Sequence, residues 1–120
     1  KKRGLILMPM IEVTTSEKIN KEIADKIKKG LGGNISIFPG KPESRVMVSI
    51  KDQAYMYFGG IEGPTALISV ALYLDQPEET YTEYSKVAVN TIIDALPQIP
   101  KDRIYVKYQT LTHKNWGKEF

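Results

Sequence analysis

Hydrophobic residues in this chain form short continuous runs that alternate with stretches of helical spacing. The continuous runs predict buried strands over residues 5–13, 45–50, 66–74 and 103–108, with a shorter strand at 55–58. Two amphipathic stretches lie between these runs. The predicted order is therefore strand, helix, strand, short strand, strand, helix, strand.

The first predicted helix follows Thr14-x-x-Glu17, which has the spacing of a capping box. Its apolar stripe consists of Ile19, Ile23 and Ile27 with Ala24 beside them, and glycines at 30, 32 and 33 predict its end. In the second helix Pro77 suits the first turn and Pro97 follows the last turn. Its predicted apolar face consists of Tyr81, Tyr84, Ala88, Ile92 and Ala95.

The two halves of the chain share a pattern, because Lys41 and Arg45 precede a strand in the first half as Lys101 and Arg103 do in the second. Each half predicts a βαβ unit. Two such units predict an α+β fold, with a four-stranded mixed sheet and both helices on one face. Because the strands are so apolar, we expect the other face to expose a large hydrophobic patch that oligomerisation would bury.

Composition narrows the classes of function. The chain has 120 residues, which suits one domain, and its net charge of +3 comes from basic residues scattered along the sequence. That distribution is typical of a solvated surface and not of a nucleic-acid groove. The chain has no cysteine and a single histidine, His113, which argues against disulfides, thiolate catalysis, histidine-rich zinc sites and a Ser-His-Asp triad. No apolar run is long enough to span a bilayer, so we expect a cytoplasmic protein with neither nucleic-acid nor membrane partners.

Pro9 has the most distinctive chemistry in the sequence. A proline inside a strand cannot donate to the sheet, and this difficulty disappears if the strand begins at Pro9. If Met8 were the natural start and were removed, Pro9 would present a free secondary amine, whereas with residues 1–8 attached it is an amide without a basic lone pair. We therefore divide the chain into residues 1–8, a leader or tag whose origin stays open, and one domain over 9–120.

Five motifs, in order and with fitting spacing, resemble the macrophage migration inhibitory factor branch of the tautomerase superfamily, in its bacterial form. The motifs are Met8-Pro9-Met10-Ile11, Pro39-Gly40-Lys41-Pro42-Glu43-Ser44, Met56-Tyr57-Phe58-Gly59-Gly60, Pro100-Lys101-Asp102-Arg103-Ile104-Tyr105-Val106 and Asn115-Trp116-Gly117. Members of this family are homotrimers in which three four-stranded sheets enclose a central space. The resemblance therefore implies a tautomerase-like domain that assembles as a trimer.

The resemblance also implies an active site between subunits. Pro9 matches the N-terminal proline that acts as general base, and Lys41 matches the pocket lysine that holds a substrate carboxylate or carbonyl. Tyr73 falls where a backbone amide faces the substrate, and Tyr105 matches a tyrosine contributed by the adjacent subunit. Lys107 stands where the best-known animal members have asparagine, and a second cation there would favour anionic substrates.

The implied activity is that of a cofactor-independent keto–enol tautomerase, an isomerase acting on small α-keto acids of the phenylpyruvate or dopachrome type. It is conditional on Pro9 being the mature N-terminus. The alternative is a non-catalytic homotrimer that acts as a cytokine-like or protein-binding module, with secretion that needs no leader. Residues 1–8 and the short C-terminus after Gly117 motivate this alternative. Without the resemblance, Pro9 would be interpreted as an edge-strand proline, Lys41 as a solvated turn residue and Tyr105 as an interface aromatic.

Overall fold

The computed structural model describes residues 9–41 and 43–117. Its helices and strands, in chain order, are β1 (Met10–Thr15), α1 (Lys21–Gly32), β2 (Met47–Lys51), β3 (Tyr57–Phe58), β4 (Ile61–Glu62), β5 (Ala66–Tyr73), α2 (Glu78–Ala95) and β6 (Ile104–Leu111). The part of the first predicted strand that precedes residue 9 lies outside the described residues. No helix in the described ranges is both long and apolar enough to cross a membrane.

Four strands form one mixed sheet in the order β2-β1-β5-β6. β1 and β2 are parallel, β5 and β6 are parallel, and the central pair β1 and β5 is antiparallel. Since each parallel pair is joined through a helix, the sheet consists of two βαβ units related by internal similarity. This confirms the predicted α+β class and the duplication of the two halves.

Both helices contribute to a core on one face of the sheet. Ile27 of α1 and Ile92 of α2 are fully buried with Ile11 of β1 in a single hydrophobic cluster. The Tyr84 hydroxyl donates a 2.6 Å hydrogen bond to the carbonyl oxygen of Leu31 and so joins the two helices. Burial and the neighbouring Tyr108 raise the pKa of Tyr84, which keeps this donor protonated. The predicted apolar face of α2 is confirmed, and Ile23 and Ile27 of α1 pack in or against the core as predicted, whereas Ile19 packs against it from the segment before the helix.

The opposite face of the sheet is polar at its centre. Glu12 pairs with Ser49 of β2 and Ser69 of β5, and Ser69 pairs with Lys107 of β6, so one row across the sheet carries only polar side chains. The expectation of a large apolar patch is therefore wrong for this part of the face. Residues of β1 alternate strictly, and it is the odd-numbered positions that face the core.

The predicted start of α1 is also wrong. Thr14 and Thr15 extend β1, where they pair with β5, and the helix is capped instead by Asn20, whose Oδ1 accepts a 2.8 Å hydrogen bond from the Ile23 N–H. At the other end Gly30 lies inside the helix, while Gly33 is the C-terminal cap. Local spacing identified a capping motif, but the sheet register determines where the strand ends.

The short third strand belongs to a hairpin, which the sequence did not predict. β3 pairs with β4 as a separate two-stranded sheet, and Gly59 and Gly60 occupy its turn with positive φ angles of 60° and 79°. The side chain of Arg103 fastens the end of this hairpin to the start of β6. Its Nη2 donates to the carbonyl oxygen of Ile61 at 2.8 Å, and its Nε donates to that of Pro64 at 2.9 Å.

Candidate active site

A pocket of about 700 Å³ opens at the end of the sheet where β1 begins. Its wall is formed by Pro9 and Met10, residues 44–47, Ala71 of β5, Leu111 of β6, and residues 115–117. These segments meet because the first residues of β1 and β2 lie at the same end of the sheet as the last residues of β5 and β6. The pocket is therefore built by the topology of the two βαβ units and not by one local motif.

Pro9 is buried in the wall of this pocket. Its carbonyl oxygen accepts a 3.2 Å hydrogen bond from the Met47 N–H, which continues the pairing of β1 with β2 by one residue. The proline therefore lies just before β1, where it blocks no sheet hydrogen bond. β1 itself begins at Met10, and the earlier part of the strand predicted over residues 5–13 lies outside the described residues.

Arg45 is the charged side chain in the pocket wall formed by the described residues. The rest of that wall is apolar or neutral, with Trp116 as its aromatic component and Ser44 and Asn115 as its polar side chains. None of these residues was expected in the site from the sequence. Their positions did offer a signal, because Arg45 directly follows the motif that contains Lys41 and Trp116 lies within the last matching motif. The family resemblance, however, gave neither residue a role in the site.

Lys41 is buried, with 3% of its surface exposed, so it is not the solvated turn lysine of the alternative interpretation. Its backbone N–H donates to the carbonyl oxygen of Phe38 at 3.2 Å, which draws the residue against the core. Burial lowers the pKa of its ammonium group. Lys41 does not line the pocket that contains Pro9, and within residues 9–41 and 43–117 it forms no ion pair.

Tyr73 is buried at the end of β5 and also does not line the pocket. Its β6 partner Leu111 does, as does Ala71 two residues earlier. The following residue, Leu74, has φ +69°, and its N–H donates a 2.7 Å hydrogen bond to the carbonyl oxygen of Leu111. The hydrogen bond from Leu74 to Leu111 thus holds the backbone next to Tyr73 at the edge of the pocket.

Tyr105 lies far along the sheet from the pocket of its own chain. It pairs with Leu67, which pairs with Thr14, four residues along β1 from Met10. At the usual rise per residue this separation is about 13 Å. The Tyr105 side chain is 64% exposed and its ring contacts Phe58 at a centroid distance of 5.0 Å.

Lys107 lines a second, smaller depression of about 180 Å³ on the polar face of the sheet. Glu12, Ser49 and Lys51 share that depression with it. A single chain therefore unites Pro9 with Arg45 and Trp116, and it leaves Lys41, Tyr73, Tyr105 and Lys107 outside the Pro9 pocket. No group of three acidic or histidine side chains in the described ranges is placed to hold a metal ion.

Solved structures with the same architecture include MIF2 from Leishmania major, which is 24% identical, covers 95% of this chain and 98% of its own, and has a TM-score of 0.84. The macrophage migration inhibitory factor homologue from Prochlorococcus marinus is 25% identical, with coverage of 92% and 95% and a TM-score of 0.81. Pt0534, solved after inactivation by 2-oxo-3-pentynoate, is 15% identical, with coverage of 91% and 90% and a TM-score of 0.80.

A search of curated protein sequences finds no significant match. The sequence profile of the macrophage migration inhibitory factor (MIF) family, by contrast, matches residues 8–119, which is nearly the whole chain. This match agrees with the two βαβ units, the mixed sheet and the position of Pro9 at the end of the sheet. The chain belongs to the MIF family.

Proposed function

We propose that this protein is a cofactor-independent keto–enol tautomerase for small α-keto acids of the phenylpyruvate type, with Pro9 as general base once it is the chain terminus. The observation that carries the proposal is the position of Pro9 in the wall of a pocket of about 700 Å³ that carries a cation and an aromatic side chain. Such a pocket is large enough for a substrate with an aromatic ring.

The proposed chemistry moves one proton and needs no redox partner. The neutral amine of Pro9 takes a proton from the carbon next to the ketone, and the electrons of that C–H bond form the enolate. The resulting ammonium group then delivers a proton to the enolate oxygen, which yields the enol, and the reverse sequence yields the ketone. The net change is the transfer of hydrogen from carbon to oxygen within one substrate.

The surroundings of Pro9 favour the neutral amine that this step requires. A free α-amino group has a pKa of about 8, so near neutral pH a large fraction would be protonated and unable to accept a proton. Burial at the end of the sheet and the positive charge of Arg45 in the same wall both disfavour the ammonium form. Both influences lower the pKa of the amine towards the value that suits a general base at neutral pH.

We also propose that the active form is a homotrimer in which Tyr105 reaches the Pro9 pocket of the adjacent subunit. Two observations support this arrangement. Tyr105 is exposed and about 13 Å along the sheet from the pocket of its own chain. The pocket wall formed by one chain contains no tyrosine among the described residues.

The test compares two chains in an enol–keto assay with a phenylpyruvate-type substrate. One chain begins at Met8, and intact mass confirms that this methionine has been removed; the other is the full sequence with residues 1–8 attached. We expect turnover only when Pro9 is the terminus. Replacing Pro9 by Gly in the shorter chain should lower kcat/KM by at least about 100-fold, which is the low end of the contribution of a general base.

A chemical label provides an independent control. Since Pt0534 is inactivated by 2-oxo-3-pentynoate, the same electrophilic keto acid is a suitable probe of the Pro9 amine. We expect peptide mass analysis to locate the adduct on Pro9 in the shorter chain and to find none at that residue in the extended chain. Equal turnover by both chains, or full activity of the Pro9→Gly variant, would contradict the assignment of Pro9 as base.

A second function, that of a non-catalytic protein-binding module, is favoured by a different observation. Tyr55, Tyr57 and Ile61, in and beside the β3–β4 hairpin, are 92%, 63% and 65% exposed. Exposed apolar clusters of this kind are typical of interaction surfaces. Absence of turnover in both chains, with assembly intact, would favour this function over the tautomerase.

A further inference from the structure

We propose that Arg45 is the specificity-determining residue of the Pro9 pocket and that it binds the carboxylate of an aryl or branched alkyl 2-oxo acid. The proposal rests on the tautomerase function for its reaction, but it makes a claim about ligand recognition that can be tested without turnover. It assigns the anion-binding role to Arg45 in place of Lys41, to which the family resemblance gives that role.

The charge of the pocket wall favours an anionic ligand. Arg45 is the charged side chain among the described residues that form it, and no acidic side chain stands there to neutralise the guanidinium. Among the described residues the recorded ion pair joins Lys21 to Asp25, so Arg45 has none of its own. A cation without an opposing carboxylate, facing a largely apolar space, attracts an anionic ligand.

The nearest acidic residue in sequence does not weaken this argument. Glu43 is two positions before Arg45, but it lines a separate depression together with Lys21, Lys28 and other residues of α1 and its C-terminal end. Its carboxylate oxygen lies 3.9 Å from the position that a Cβ atom on Gly32 would occupy, which is beside the helix. Glu43 therefore belongs to the helix side of the loop, whereas Arg45 belongs to the pocket side.

The other cations predicted to bind substrate lie outside the Pro9 pocket. Lys41 is 3% exposed and outside the pocket wall, and Lys107 lines the depression on the polar face of the sheet. Of the three cations that could hold a substrate carboxylate, Arg45 is the one that shares a cavity with Pro9 in the described structure. Its planar guanidinium can form two parallel hydrogen bonds to a carboxylate, which fixes the orientation of the ligand.

The apolar part of the pocket wall indicates what the rest of the ligand should be. Trp116, Val46, Met47 and Leu111 give the same pocket an aromatic and aliphatic wall. A ligand whose carboxylate contacts Arg45 would place its hydrophobic group against this wall. The chemical class that matches both parts is a small monocarboxylate with an aryl or branched alkyl substituent, and a neutral ester or amide of the same shape would lack the ionic contact.

The protein contains a natural reporter for this test, because Trp116 is its one tryptophan and lies in the pocket wall. We would titrate the chain that begins at Pro9 with 3-phenylpropanoate, which has no ketone and so cannot be turned over, and with 3-phenylpropanamide, while following tryptophan fluorescence. We expect saturable binding of the acid and binding of the amide that is at least about tenfold weaker, as loss of a charge-assisted bidentate contact predicts.

Arg45→Gln should abolish this preference, so that acid and amide bind equally weakly, and Arg45→Lys should restore part of it because the charge is kept and the bidentate geometry is lost. Lys28→Gln, which removes an exposed cation from α1, is the matched control and should behave like the parent chain. An unchanged acid preference in Arg45→Gln, or no fluorescence response of the parent chain to the acid, would overturn the proposal.

The kinetic arm separates this inference from the proposed function. With an enolisable aryl 2-oxo acid and its methyl ester, Arg45→Gln should lower kcat/KM for the acid about tenfold more than kcat/KM for the ester, because any effect of Arg45 on the Pro9 amine is common to both substrates. A parent chain that binds the acid through Arg45 but turns over neither substrate would refute the tautomerase function and retain the role of Arg45. Turnover of the acid that is unchanged in Arg45→Gln would retain the tautomerase function and refute the role of Arg45.

Discussion

Lys41 and Arg45 are four residues apart and carry the same charge, yet the structure places them in opposite environments. Arg45 is exposed and lines the pocket, so its charge is available to a ligand at small energetic cost. Lys41 is almost entirely buried, and this burial lowers the pKa of its ammonium group. A buried ammonium group destabilises a fold unless it is paired, and the size of this destabilisation depends measurably on pH.

We expect Lys41→Met to stabilise the protein at pH 7 by about 1 kcal/mol, the low end of the cost of burying a polar group. Because burial lowers the pKa of Lys41 in the folded state, the unfolded chain holds this proton more tightly. Below the folded pKa the full cost of the buried charge is present. As pH rises from the folded pKa towards the ordinary lysine value, the parent protein becomes more stable relative to the variant.

Urea denaturation of both proteins between pH 6 and the alkaline range checks this prediction. The stability advantage of Lys41→Met should shrink as pH rises, whereas Lys28→Met, on the exposed face of α1, should show no such trend. A variant that is less stable than the parent at pH 7 would contradict the prediction and would mean that the Lys41 ammonium group is well paired.

At the scale of elements, the sequence predicted most strands and both helices, because continuous apolar runs and helical spacing are local patterns that extend over several residues. It predicted the capping of α1 wrongly because Thr14-x-x-Glu17 satisfies the spacing rule while Thr14 is also a good strand residue. Pairing of Thr14 with Leu67 and Lys51 across the sheet decides the outcome, and such long-range register has no signature within the motif.

The site shows the same division between local and long-range information. Pro9 was predicted because a proline after methionine at the start of a strand is visible in the sequence itself. Arg45 and Trp116 were not assigned, since they reach the pocket through the packing of β1, β2 and the C-terminal segment. Lys41 matched a family motif, but its burial depends on the turn after Phe38.

Arg103 provides a testable example of how separate elements are fixed together. Its guanidinium donates to the carbonyl oxygens of Ile61, Gly63 and Pro64 and to the Thr65 hydroxyl, so one side chain at the start of β6 holds the segment between β4 and β5. The same guanidinium lies 5.6 Å from the centre of the Phe58 ring. The hairpin is therefore joined to the start of β6 through this residue and through the contact between Phe58 and Tyr105. Hydrogen bonds of Ser16 with Gly63 and Thr65 join the segment after the hairpin to the end of β1.

We expect Arg103→Gln to lower the free energy of unfolding by about 2 kcal/mol, because several acceptors lose a charged donor. Arg103→Lys should lose nearly as much, since one ammonium group cannot reproduce the fork of donors. Urea denaturation measures the loss, and limited proteolysis should show faster cleavage near Gly59 and Gly60. Lys101→Gln is the exposed control, and a change for Arg103→Gln below about 0.5 kcal/mol, as for an ordinary surface residue, would refute this account.

At the scale of the whole molecule, the distribution of exposed side chains fits an assembly with a hydrated interior. The row formed by Ser49, Glu12, Ser69 and Lys107 is polar across the full width of the sheet. Large apolar side chains are exposed instead towards the ends and edges of the sheet, where Met47 is 62% and Tyr105 is 64% exposed. We therefore expect contacts between subunits at the edges of the sheets, with a water-filled space between their polar centres.

If Pro9 and Tyr105 act together across a subunit boundary, two inactive variants should complement each other. In the chain that begins at Pro9, Pro9→Gly removes the base, and Tyr105→Phe removes the hydroxyl group that the adjacent subunit would contribute. Each variant alone should form a trimer with strongly reduced turnover. Unfolding and refolding an equal mixture should restore activity, with both groups intact at about a quarter of the sites if subunits mix at random in a head-to-tail ring.

Size-exclusion chromatography with light scattering would first establish that each preparation has three times the mass of its single chain. Mixing Pro9→Gly with Arg45→Gln is the discriminating control, because Arg45 lines the Pro9 pocket of its own chain. A site that contains Pro9 in that mixture always lacks Arg45, so refolding should not regain the parent affinity for the acid. If the Tyr105 mixture forms trimers and also fails to recover, Tyr105 acts with the Pro9 of its own chain, which would contradict the head-to-tail site.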